Sequence, residues 1–234
     1  MCVSSRRREH MGLIRGELID IVEWKGGRPG VVAWRYDRPF DELKNGSKLI
    51  VREWQVALFV RGGQIVRECH AGTQTLQTGN APVTSRLRGF RYGFRSPDKA
   101  EVHFVSTRRF TNLKWGTRRP VQLRDPETGP VLLAAHGSFS FRVADPTAFL
   151  TQLVAGQPLV EAEQVAEAVR GPLLRRLTTT LAAWSERRTV LGVLNDAALP
   201  DEVAAAVSRD LAETGLEICD IDIGGLTTPL PPWG

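Results

Sequence analysis

An α+β fold is what this sequence predicts: a β-rich module through about residue 143, then helices, then a closing strand near the C-terminal end. Three observations carry the prediction. Apolar and polar residues alternate in several short runs of the first two-thirds, and one pair of runs is joined by Gly62-Gly63, the composition of a tight hairpin. After Asp145-Pro146 the apolar spacing changes to three and four, the period of a helix. After Gly215 it returns to two.

Taken in order, residues 1–10 are polar and basic, with Arg6-Arg7-Arg8, and read as a disordered extension ahead of Met11. Residues 11–24 have helical spacing, with Leu13, Ile14, Leu18, Ile21, Val22 and Trp24 on about half the wheel. Two readings of that face stand, a membrane-surface contact and a contact on the chain's own core or a neighbouring subunit. Glu17, Asp20 and Glu23 weigh against the first, because interfacial helices carry mostly Lys and Arg opposite their apolar side. A glycine-rich turn leads to a strand at 31–36, and strands follow at 48–52, 55–60, 64–68 and 101–105. Residues 112–118 read as aromatic and turn-rich, and 131–143 as one long strand.

Asp145 and Pro146 have the order of an N-cap followed by a first helical residue. One stripe runs through Ala162, Val165, Ala166 and Val169, a second through Leu173, Leu177, Leu181 and Trp184, and Gly171-Pro172 predicts a break between them. A helix over 201–214 ends at Gly215, and 216–223 form the last strand before a proline-rich tail at 227–234.

Composition excludes whole classes. The chain has 234 residues, 42% hydrophobic and 24% charged, which is too apolar for a disordered chain. No run approaches the ~18 apolar residues of a membrane-spanning helix. Cys2, Cys69 and Cys219 are too few and too scattered for a disulfide framework or a zinc site, and they fit a reducing cytoplasm. Residues 1–160 carry 25 Lys and Arg against 14 Asp and Glu; residues 161–234 carry 6 against 12. Such a split suits either a nucleic-acid face or head-to-tail attraction between copies.

No catalytic constellation stands out. Phosphate-loop, dinucleotide and nucleophile-elbow motifs are missing, and His70, His103 and His136 lack metal-ligand spacing. Neither a metal nor a cofactor is expected. Cys69 and His70 are adjacent on a strand and so point to opposite faces. Asp220 and Asp222 share a strand face, which is ordinarily the solvated one. Arg86, Arg88, Arg91 and Arg95 alternate with Phe90, Tyr92 and Phe94, a pattern that fits base stacking with phosphate neutralisation, or an exposed loop or subunit contact.

The order of these pieces resembles a known family. Residues 48–60 followed by Gly62-Gly63 look like the opening of the SPFH, or Band 7, domain of stomatin, prohibitin and flotillin. Gly72-Thr73-Gln74-Thr75-Leu76 is similar to a turn of that domain, with Ala71 where relatives have Pro. Residues 99–107 and 110–117 resemble the bacterial branch labelled virion core protein-like, as do Met11-Gly12-Leu13-Ile14 and Trp24. Residues 137–146 look like the domain's strand-to-helix corner. Here the chain ends at Gly234, without the coiled coil or zinc ribbon of many relatives, so cages built on that coil are not implied.

The resemblance implies an SPFH domain over 45–226, preceded by an amphipathic helix and lead-in at 11–44. It implies a non-enzymatic scaffold, cytoplasmic and peripheral at the inner membrane face. Such a scaffold self-assembles as a homo-oligomer and organises membrane or envelope-stress proteins, with no small-molecule substrate. The alternative is a nucleic-acid-binding module using Arg86, Arg88, Arg91 and Arg95.

Overall fold

A computed structural model of the chain describes residues 20–26, 28–36, 46–76, 100–154 and 156–227. Strand β1 (Ile21–Glu23) runs parallel to β3 (Lys48–Val51), which pairs antiparallel with β6 (Gly72–Thr75). This small sheet covers one face of a five-stranded sheet. Its strand order is β11 (Leu159–Glu161), β2 (Val31–Arg35), β7 (Ala100–Ser106), β4 (Gln55–Arg61) and β5 (Gln64–Cys69).

The central strands β4 and β7 are buried on both faces, and so nearly every residue in their middle is buried. Ala57, Phe59, Val102 and Phe104 meet Val22, Leu49 and Val51 of the small sheet. Val56, Leu58 and Val105 turn the other way, into the larger core. As the paired glycines predict, Gly62 and Gly63 both have positive φ in the β4–β5 turn.

The second half is organised by β10 (Gly129–Val143), 15 residues long. β8 (Phe110–Gly116) and β9 (Val121–Asp125) pair in succession along one of its edges, and β12 (Leu216–Thr227) pairs along the other. At Gly137 the strands approach so closely that a Cβ would lie 1.9 Å from the Asp222 carbonyl oxygen. Helix α1 (Pro146–Phe149) starts as the sequence predicts: the Asp145 carboxylate accepts from the Ala148 N–H at 3.0 Å, with Pro146 at the first position. A π-helical turn, Leu150–Val154, follows.

The long α2 (Ala162–Ser185) packs on β8, β9 and α4 (Leu199–Leu211), and α4 lies on β12. A fork of hydrogen bonds from Arg176 to Asp210 clamps α2 to α4 and holds the Asp210 carboxyl below the usual range. Short α3 (Val190–Leu194) is tied to the β9–β10 hairpin by Asp125. Its buried carboxylate accepts from the N–H groups of Glu127, Thr128 and Val190 at 2.9, 3.0 and 2.7 Å, which lowers its pKa.

Three expectations are corrected. The helix over 11–24 does not run to Trp24, since Ile21–Glu23 is a strand and Lys48 N–H already bonds the Asp20 carbonyl. Gly171-Pro172 does not break the helix, because Val165, Val169, Leu173, Leu177 and Leu181 continue one buried stripe through it. Residues 112–118 fall largely in strand β8, whose bulge at Asn112 (φ 62°) gave the run its turn-like composition.

Candidate functional site at the N-terminal strand

The candidate contact residues divide at Asp20. Leu13, Ile14 and Leu18 lie outside the described residues, as do Arg86, Arg88, Arg91 and Arg95. Ile21, Val22 and Trp24 are described, and a strand rather than a helix sets their directions. Val22 is fully buried and Trp24 is 7% exposed, whereas Ile21 points outward and is 53% exposed. The alternation of β1 therefore sends Val22 into the core and leaves Ile21 as the apolar surface residue of the three.

Side-chain bonds hold β1 in place. Tyr36 Oη donates to the Ile21 carbonyl at 3.4 Å, and Gln55 Nε2 donates to the Trp24 carbonyl at 3.2 Å. Glu23 faces two cations, Arg52 and Lys25, each at 3.3 Å. Beneath them lies an aromatic group. Trp34 stacks on Phe104 with centroids 5.9 Å apart, meets Tyr36 edge-on at 5.7 Å, and is 6.3 Å from Trp24.

Where the chain leaves β1 a pocket of about 400 Å³ opens. Trp24, Val31, Trp34 and Leu159 form its apolar lining, and Lys25, Arg28 and Glu161 are the charged residues around it. Two backbone bonds close this region against the start of α2: Ala162 N–H to the Gly30 carbonyl at 2.7 Å, and Arg35 N–H to the Pro158 carbonyl at 2.8 Å. Sequence reasoning missed the pocket, since its walls come from residues 24–34 and 159–161, which only β2–β11 pairing brings together. It also passed over Trp54, which stands 69% exposed at the β3–β4 turn with φ 60°.

The other polar candidates do not converge. Cys69 is buried and burial pushes its thiol pKa up, while His70 lies outside beside Glu68 at 3.6 Å. Asp220 pairs with Arg109 at 3.1 Å. Among the described residues no cluster of His, Cys, Asp and Glu could hold a metal ion, and no helix is long and apolar enough to cross a membrane.

The family model described as the SPFH domain-Band 7 family matches residues 33–231. The chain belongs to this family. The mixed sheets, the helices that follow and the closing β12 are the α+β arrangement that the sequence resemblance implied. A Bacillus subtilis (strain 168) protein, "Uncharacterized protein YdjI", is 29% identical over 203 residues. The alignment covers 86% of this chain and 60% of that protein, so the chain spans about three-fifths of the relative's length. SPFH proteins typically oligomerise, associate with membranes and act as scaffolds rather than enzymes.

Proposed function

We propose that this protein is a non-enzymatic scaffold that assembles with copies of itself at the inner face of a membrane and organises envelope proteins there. Membership of the SPFH family over residues 33–231 carries the reading. The outward side chain of Ile21 supports a place for the contact. Leu13, Ile14 and Leu18 are the apolar candidates that precede it in the sequence, while Val22 and Trp24 serve the fold.

The test has two parts. Light scattering after size exclusion is expected to give a discrete homo-oligomer. Flotation with anionic liposomes is expected to carry the protein upward, and Leu13→Glu/Leu18→Glu/Ile21→Glu is expected to abolish flotation with an unchanged circular dichroism spectrum. A monomer that does not float refutes the scaffold. Flotation that survives the triple substitution moves the membrane contact elsewhere.

A further inference from the structure

We propose that the pocket at Trp34 binds a single-chain anionic amphiphile, a free fatty-acid carboxylate, with its alkyl chain along the apolar lining and its head at Arg28. This goes beyond the scaffold reading and does not rest on it.

The lining is apolar and held in place. Trp24 and Trp34 lie 6.3 Å apart at an interplanar angle of 36°, and Trp34 is fixed by its stack on Phe104, so the surface needs little reordering to accept a chain. Leu159 belongs to the same lining and keeps 40% of its surface exposed. The volume of about 400 Å³ lies within the range of ligand pockets. Allowing roughly 30 Å³ for a group the size of a water molecule, about a dozen methylenes fill it, one alkyl chain rather than the two of a phospholipid.

Charge selects the head group. The ammonium of Lys25 is taken up by Glu23 at 3.3 Å. The Arg28 guanidinium is exposed and has no ion-pair partner among the described residues. Glu161 is the one acid of the lining, and it is engaged with Gln164 in the capping box that starts α2. A tryptophan pair also suits a quaternary ammonium ion, but the exposed Arg28 guanidinium opposes that ligand and favours a carboxylate.

The full-length protein should be titrated calorimetrically with octanoate, decanoate and dodecanoate below their micelle concentrations. Affinity is expected to rise roughly fourfold per added methylene until the chain fills the pocket. Bromine-labelled undecanoate is expected to quench tryptophan emission, and the uncharged alcohol of equal length to bind at least ~10-fold more weakly. Arg28→Glu should cost ~10-fold or more. Leu159→Trp, which fills the space without touching the charges, should cost as much, both variants being checked for a native circular dichroism spectrum.

Carboxylates that do not bind overturn the proposal, as does binding indifferent to both substitutions. Recognition of anionic phospholipid vesicles without recognition of the free acids also overturns it and assigns the pocket to a bilayer. A monomer that does not float would sink the scaffold reading and leave these titrations standing.

Discussion

His103 is buried in the five-stranded sheet with its Nε2 3.0 Å from Glu101 Oε2. Burial lowers its pKa, and the neighbouring Glu101 carboxylate only partly offsets this. The unfolded chain takes up this proton near pH ~6.5 and the folded chain only at lower pH. Stability is therefore complete above that value and falls as pH drops from ~6.5 toward the folded pKa. Thermal melts at pH 7.5 and 5.5 are expected to differ less in His103→Gln than in the parent. An equal difference would assign the acid sensitivity to other groups. Ser140 presents the opposite case, a buried hydroxyl with no hydrogen-bond partner among the described residues. Replacing it with Ala removes a desolvated group and almost no volume, so Ser140→Ala should raise stability by roughly 1 kcal/mol in urea melts. A loss of that size would mean that the hydroxyl is bonded in solution.

Gly215 ends the turn Ala212–Thr214 in the left-handed region at φ 72°, and its N–H bonds the Ala212 carbonyl. Its carbonyl accepts from the N–H groups of Ala144 and Asp145, and a Cβ would sit 2.1 Å from the Asp145 carbonyl oxygen. Gly215→Ala should therefore destabilise by more than about 2 kcal/mol, whereas Gly171→Ala, in open space on α2, should stabilise by about 0.5–1 kcal/mol. Chemical denaturation of the pair separates these outcomes, and equal effects would show that backbone conformation is not the cause. Elements such as this corner were legible because a single residue type carries the geometry. The same is true of Asp145-Pro146 and Gly62-Gly63. Others were not. Ile21, Val22 and Trp24 satisfy a helical wheel as well as a strand, and only parallel pairing with β3 decides between them. Gly171-Pro172 is a true local breaker that a stripe of buried residues overrides. β9, β11 and α3 span only three to five residues each, too few for any period to show. The pocket was illegible for a related reason, since its lining exists only after β11 returns to β2.

At the scale of the molecule, the basic front and acidic back meet first within one chain. Arg142 pairs with Glu217 at 2.7 Å, Arg109 with Asp220 at 3.1 Å and Arg118 with Glu167 at 3.4 Å. These exposed pairs add little stability, but they take up charge that would otherwise face a neighbour. In the scaffold proposed above, attraction between copies is thus expected to be weaker than the sequence totals imply. Light scattering is expected to show a partial fall in oligomer mass between low salt and ~0.5 M, where screening acts within a few ångströms. Complete dissociation would restore charge as the main assembling force, and an unchanged mass would remove it.

The arrangement around β10 also bears on synthesis of the chain. Its residues Ala134–Val143 take their partners from Leu216–Thr227, so this edge cannot close until the last strand has left the ribosome. At about 5–20 residues per second, the nascent protein carries an open strand edge for several seconds. During that interval a neighbouring nascent chain's β12 can supply the missing strand as well as its own. Crowded translation is therefore the condition under which strand exchange between copies would begin.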